Sequence, residues 1–204
     1  MTAEPSYQEL LGAHFSGRVL DRMIRYAELL EEWSVRHNLV RFSSRRELVH
    51  RHLLDAYAGA ALLAGKGRLL DVGSGAGLPG VPLLIAQPRW EGILLEPRQK
   101  RWAFLKRVIR ELDLPAEAVE QRYQNLGSAE RFRLVTARAV GGYEDLLAWA
   151  GRHLSPGGGV ALWTTLEGED QLSLVPGWRV LSWPLVGLDR GRLVHLEPEG
   201  SCST

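Results

Sequence analysis

Leu69-Leu70-Asp71-Val72-Gly73-Ser74-Gly75-Ala76-Gly77-Leu78-Pro79-Gly80 is the stretch on which the fold turns. Its first four residues read as a short buried strand that ends close to an acid. Three glycines at alternate positions follow, and only a backbone without Cβ atoms turns so tightly and lets a ligand sit directly on it. Pro79 opens a helix, because its missing N–H falls among donors that have no helical partner anyway. The dinucleotide fingerprint Gly-x-Gly-x-x-Gly should start right after the strand. Counted from Gly73 it needs glycine at Leu78 and fails; counted from Gly75 it is met by Gly75, Gly77 and Gly80 but begins late. A glycine-rich turn without a ligand is the plain alternative.

Outward from this loop, strands and helices alternate. A strand at 68–72 precedes a helix at about 79–87. Strand 92–96 precedes a helix at 98–112. Short strands follow near 117–121 and at 132–138, then a helix at 143–153. Gly157-Gly158-Gly159 leads into a strand at 160–164, and two last strands fall near 178–183 and 192–197 with no long helix between them. Parallel neighbours need helical crossovers, so the alternation predicts a doubly wound, mostly parallel seven-stranded α/β sheet, and the last pair predicts an antiparallel hairpin at its edge. Ahead of the sheet, Val19, Met23, Tyr26, Leu29, Leu30 and Trp33 recur at helical spacing between Gly17 and Asn38, and a second helical stretch runs from Arg45 to Leu63. The chain therefore divides into an N-terminal helical appendage, residues 1–66, and a ligand-binding domain, residues 67–204. The apolar faces of the appendage are expected to pack on the domain or cover part of its site.

The 204 residues, 45% of them hydrophobic, suffice for one real core. Met1-Thr2-Ala3-Glu4-Pro5 lacks the basic and apolar regions of a signal peptide. No apolar run reaches the roughly 18 residues of a membrane span. Cys202 is the single cysteine, which excludes an intrachain disulfide. A soluble, cytoplasmic, monomeric protein without membrane contact is expected. The six histidines show no metal-ligand spacing, so no metal site is expected. Net charge is only +1, yet the basic residues are bunched. Arg36, Arg41, Arg45, Arg46 and Arg51 share their stretch with one acid, Glu47; Arg98, Lys100, Arg101, Lys106, Arg107 and Arg110 share theirs with none. Arg36, Arg45, Arg46, Arg51, Lys100 and Arg101 are candidates to contact RNA phosphates, with a solvated helix face as the alternative.

The spacing Asp71-x-Gly73-x-Gly75-x-Gly77 is the acid-x-Gly-x-Gly-x-Gly pattern of S-adenosylmethionine methyltransferases. Ligands of open α/β sheets sit at the carboxyl ends of the strands. Asp71, Gly73, Ser74, Gly75, Gly77 and Leu78 are therefore candidate cofactor residues. Glu96, 25 residues beyond Asp71, closes the second strand, where a carboxylate can accept from both ribose hydroxyls. Tyr123 and Gln124 follow the third strand, where a ring can stack on adenine and an amide can reach its edge; Tyr123 as mere packing is the alternative. Arg138 ends the fourth strand, where the methyl group and the acceptor meet, and an ion pair with Glu144 or Asp145 is its structural alternative.

These motifs resemble the RsmG/GidB family, bacterial methyltransferases of the small-subunit ribosomal RNA. The resemblance covers about residues 20–196. It rests on Trp33-Ser34-Val35-Arg36-His37-Asn38-Leu39, on Arg51-His52-Leu53-Leu54-Asp55 and on the loop with its extension Gly77-Leu78-Pro79-Gly80-Val81-Pro82. Lys100-Arg101, Ala137-Arg138-Ala139 and Gly191-Arg192-Leu193-Val194 add to it. It implies a Rossmann-like class I S-adenosylmethionine-dependent fold and methyl transfer to guanine N7, with ribosomal RNA or the small ribosomal subunit as partner. Arg138 would then donate to guanine O6, and Arg192 and Lys100 would hold phosphate or base. Three positions depart from the family: Val40 stands for threonine, Ala56 for serine, and Leu162-Trp163-Thr164-Thr165 where a lysine followed by glycine is usual. A methyltransferase with another RNA or a small-molecule acceptor, and a nucleotide-binding protein without transferase activity, remain as alternatives.

Overall fold

The structure, a computed structural model, describes residues 4–186 and 188–200; Cys202 lies outside them. Seven strands form one sheet in the order β3-β2-β1-β4-β5-β7-β6. They are β1 (Gly67–Val72), β2 (Trp90–Leu95), β3 (Ala116–Val119), β4 (Phe132–Arg138), β5 (Leu154–Thr165), β6 (Trp178–Pro184) and β7 (Gly191–Pro198). The first five run parallel; β7 lies antiparallel to β5 and to β6, the expected hairpin edge. The chain leaves β1 toward β2 and β3, then returns to β1's other side with β4, so the strand order reverses between β1 and β4. That crevice is where open α/β sheets bind ligands.

Helices cover both faces. On one lie α1 (Tyr7–Gly12), α2 (Gly17–His37), the helical run 45–62, α5 (Gly80–Ala86) and α6 (Gln99–Leu112); on the other lie α7 (Tyr143–Gly151) and α8 (Leu166–Ser173). The spacing of Met23, Tyr26, Ala27, Leu29 and Leu30 gives α2 one buried face, and Asn38, left-handed at φ 50°, ends it. Those side chains share one cluster with Leu69, Leu83, Leu84, Phe104 and Leu105, so the appendage packs into the core of the sheet's first face.

Four details differ from the sequence reading. The run 45–62 is not one helix: α3 (Arg45–Leu48), a π turn (Val49–Leu53), α4 (Leu54–Tyr57) and a 3-10 turn (Ala58–Leu62) follow each other. Helix α1 is additional, held by a capping box in which Ser6 Oγ accepts from Glu9 N–H and Glu9 reaches back to Ser6 N–H. Helix α8 is additional as well, capped by Thr165. β3 stops at Val119 instead of 121, because Gln121 N–H turns back to the Val119 carbonyl at 3.0 Å.

Candidate active site

The glycine loop keeps its predicted geometry through three left-handed residues, Gly73 (φ 66°), Gly75 (φ 57°) and Gly77 (φ 91°). Their surroundings divide their roles. A Cβ on Gly73 would meet nothing within 4 Å, so the backbone there presents an open face. A Cβ on Gly77 would stand 2.6 Å from Val81 Cγ2 and 2.9 Å from the Tyr26 hydroxyl, so this glycine serves packing. Tyr26 itself donates to the Ala76 carbonyl at 2.7 Å, and the appendage thereby pins the loop from below. Ser74 ties it further: its N–H donates to the Leu95 carbonyl at 2.8 Å and its hydroxyl to the Asp71 carbonyl at 3.0 Å. Leu78 is buried in the hydrophobic cluster of the sheet's first face.

Asp71 requires a correction as a cofactor contact. It is fully buried, and its carboxylate accepts from Gly80 N–H at 3.2 Å and from the Thr136 hydroxyl at 2.8 Å. It joins the start of α5 to β4 beneath the loop and offers no surface to a ligand. Burial pushes its pKa up to about 6 against the lowering effect of those hydrogen bonds.

Glu96 does face the loop. Its Oε2 accepts from Gly75 N–H at 3.0 Å and its Oε1 from Arg98 N–H at 2.8 Å. Each oxygen retains a lone pair for a further donor. Arg101, read as an RNA contact, lies instead over this loop, its Nη1 3.5 Å from where a Cβ on Gly75 would stand. Tyr123 sits in a single 3-10 turn, its ring edge-on to Trp149 at 5.2 Å, which is the packing alternative; Gln124 beside it is exposed.

Beside the loop, a cavity of about 610 Å³ opens between the ends of β4 and β5, the β6–β7 connection and the helical run. Arg51, Arg138, Tyr143, Trp163, Thr164 and Arg190 line it. Register places it: Val72 pairs with Ala137 and Arg138 with Trp163, so Arg138 emerges next to the first glycine. Arg138 Nη2 donates to the Arg51 carbonyl, inside the π turn, at 3.2 Å, and its Nη1 is buried without an acceptor among the described residues. Burial disfavours its charge and the buried Asp55 is the acid that most offsets this; the structural alternative, an ion pair with Glu144 or Asp145, is not formed among the described residues. Trp163, in the segment where the family's lysine is missing, is buried. Its Nε1 donates to the Asp55 carbonyl at 2.7 Å and its ring occupies the space a Cβ on Gly59 would need. The helical run is thus fastened across the ends of β4 and β5. Tyr143 and Thr164, joined through their hydroxyls at 2.6 Å, were not legible as site residues, since each looks like an ordinary surface position in sequence.

Arg192 also requires correction. Its side chain turns to α8, pairing with Glu169 at 3.1 Å and donating to the Gly191 carbonyl, and it does not line the cavity. Arg190 does, paired with Glu167. The missed helix α8 explains the error, because it supplies both glutamates. The basic clusters are largely neutralised. Arg45 pairs with Glu31 at 3.2 Å and lies over the Tyr7 ring; Arg51 pairs with Glu47 at 3.2 Å; Arg36 stands 3.9 Å from Glu32; Arg107 bridges Glu32 and Glu111. Arg46 and Lys100 are exposed, with no acid bound to them among the described residues.

Asp55, only 2% exposed and with Oδ2 lacking a hydrogen-bond partner, has its pKa raised to about 6, chiefly by burial. A carboxyl whose pKa is higher folded than unfolded stabilises fully below about pH 4, and that contribution is lost as pH rises through about 6. Acidification from pH 7.5 to 5 should therefore stabilise the wild type over Asp55→Asn by about 1 kcal/mol. Urea unfolding at several pH values checks this; a pH-independent difference between the two would refute it.

A sequence model of the GidB family, described as rRNA small subunit methyltransferase G, matches residues 19–174. The chain is 36% identical over 141 residues to the ribosomal RNA small subunit methyltransferase G of Nitrosomonas europaea, a match spanning 69% of this chain and, just under two thirds, 65% of that protein. It is 34% identical over 168 residues to the protein of the same name from Nitrosococcus oceani, spanning 82% of this chain and 78% of that one. A methyltransferase structure from Geobacter sulfurreducens superposes with a TM-score of 0.64 at 14% identity, covering 86% of this chain and 89% of that one, and shows the shared Rossmann-like class I fold. With the family model spanning α2, the glycine loop and Arg138, the chain belongs to the GidB family of rRNA small subunit methyltransferases.

Proposed function

We propose that the chain transfers a methyl group from S-adenosylmethionine to N7 of a guanine in small-subunit ribosomal RNA, acting as a cytoplasmic monomer on the small ribosomal subunit or its RNA. The observation that carries the reading is adjacency. The open backbone of Gly73 and the Arg138-lined cavity sit at the carboxyl ends of neighbouring strands, on either side of the point where the strand order reverses. The loop fits the cofactor: Gly73 and Gly75 leave the room that side chains would fill, and Glu96 offers carboxylate lone pairs for ribose hydroxyls. When bound, S-adenosylmethionine supplies an electrophilic methyl group on a sulfonium.

Guanine N7 already carries a lone pair, so no side chain has to remove a proton. The residues of the cavity align the base and exclude water, and alignment alone can supply on the order of 7–11 kcal/mol in favourable cases. Arg138 carries a buried donor, Nη1, with no acceptor, and guanine O6 beside N7 is an acceptor of matching type. Trp163 and the Tyr143–Thr164 pair line the same cavity. The decisive assay follows labelled methyl transfer to total RNA from a strain lacking this gene. Label in small-subunit RNA as 7-methylguanosine supports the reading. Label in small molecules, or none in RNA, overturns it.

The ion pairs sharpen which cations touch RNA. Arg46→Gln with Lys100→Gln should lower the slope of log affinity against log salt by about 1.4, at roughly 0.7 per phosphate contact on single strands. Arg45→Gln, whose charge Glu31 already holds, should leave the slope unchanged. Filter-binding titrations from low to high salt check both, and an unchanged slope in the double variant would count against these contacts.

A further inference from the structure

The opposite end of the sheet gathers positive charge that the sequence disperses. Lys66, Arg68, Arg89, Arg131 and Arg133 converge on a cavity of about 420 Å³ at the amino ends of β1, β2 and β4, with Glu91 as its one acidic wall residue. They come from three separate segments, each just before or inside the first turns of a strand, and parallel register brings them together: Gly67 pairs with Trp90, and Leu69 with Leu134. Arg68 is neutralised by Glu130 at 2.8 Å. Among the described residues Arg131 donates only to the backbone carbonyls of Ser128 and Glu130, which hold the guanidinium in place and leave its charge uncompensated. Lys66, Arg89 and Arg133 are exposed and bound to no acid among the described residues. The contrast with the helical face is informative, since there Arg25, Arg45, Arg51 and Arg107 each meet a glutamate.

We infer that this basal cluster is a second RNA-binding site, which takes the phosphodiester backbone of the substrate at a distance from the reacting base. The inference rests on the RNA-methyltransferase reading above. Four uncompensated cations around one concavity, on a chain whose net charge is +1, concentrate positive potential where a polyanion gains most from it. Strand β1 separates this cavity from the glycine loop by six residues, about 20 Å at ~3.3 Å per residue. A structured RNA spans that length readily, whereas a small acceptor does not. Contacts here carry no base sequence; they set register and orientation. The site would therefore raise affinity for a folded RNA or a ribosomal particle without touching methyl transfer itself.

The test is the triple variant Lys66→Gln, Arg89→Gln, Arg133→Gln, with small-subunit RNA from a strain lacking this gene as the probe. Its affinity should fall about 100-fold at 0.1 M salt, its salt slope should shrink by about 2, and the difference from wild type should close toward 1 M. KM for RNA should rise in step, with kcat at saturating RNA, S-adenosylhomocysteine affinity and melting temperature unchanged. A variant with Lys66→Arg and Arg133→Lys, which keeps the charge, should bind as wild type does. Wild-type affinity and slope in the triple variant overturn the basal site alone, provided the wild type methylates this RNA. A wild type that neither binds nor methylates it overturns the functional reading and the basal site together.

Discussion

Gly75→Val should abolish cofactor binding and leave the sheet folded. Gly75 holds φ 57°, a left-handed conformation that costs an L-residue roughly 1–2 kcal/mol and a β-branched one more. Its N–H is the donor to Glu96 Oε2, so a shift of this peptide also releases the carboxylate expected to face the ribose. The new Cβ would stand 3.5 Å from Arg101 Nη1 and 3.9 Å from Glu96 Oε2, with its methyl groups extending into the space between them. Backbone strain, loss of the Glu96 contact and the volume of the side chain all oppose the ligand. About 3 kcal/mol in total corresponds to a more than 100-fold loss of affinity. Calorimetry with S-adenosylhomocysteine checks it, and binding within a few-fold of wild type would sink the assignment of this loop. NAD binding tighter than S-adenosylhomocysteine in the wild type would sink it equally. Gly77→Ala provides the contrast: its Cβ meets Val81 and the Tyr26 hydroxyl below 3.0 Å, so that variant should lose thermal stability first.

The two glycines illustrate what a sequence conveys about such a site. Spacing marks the loop, because positive φ at alternate residues is a local demand that glycine alone meets without strain. It does not say which glycine faces a ligand and which faces Val81, since that depends on helices packed from elsewhere. The same divide runs through the charges. Arg45 and Arg192 look like free cations in sequence, yet their partners Glu31 and Glu169 lie 14 and 23 residues away. Asp71 reads as a ligand contact from its position in the motif, and only its complete burial shows that it braces the loop. The sheet was legible because strand and helix periodicities are local and parallel strands need crossovers. Helix α8 was missed because it is short and polar, with Glu167, Glu169 and Asp170 in its first turns and only Gly168 and Leu172 buried. Helix α1 carries a readable sign, the Ser6-x-x-Glu9 capping box, which apolar periodicity alone does not reveal.

Arg138→Ala should leave S-adenosylhomocysteine binding within a few-fold and cut methyl transfer by about 100-fold or more, since ~1 Å of lost alignment can cost that much. The side chain ends β4 beside the first glycine, lines the cavity and keeps one guanidinium nitrogen without an acceptor among the described residues. Arg138→Lys should rescue little. An ammonium cannot reach the Arg51 carbonyl and present a second, coplanar donor at once. The structure also defines the competing explanation. Arg138 is the cation nearest in effect to buried Asp55, so its removal leaves that carboxylate uncompensated and costs stability. Asp55→Asn separates the two causes, because Arg138→Ala in that background no longer strands a charge. Transfer that stays about 100-fold down in the double variant, measured well below its melting temperature, assigns the loss to the acceptor. If stability, cofactor affinity and turnover fall together in Arg138→Ala and recover together in the double variant, Arg138 is a strut for the helical run and the base must be held by other residues of the cavity.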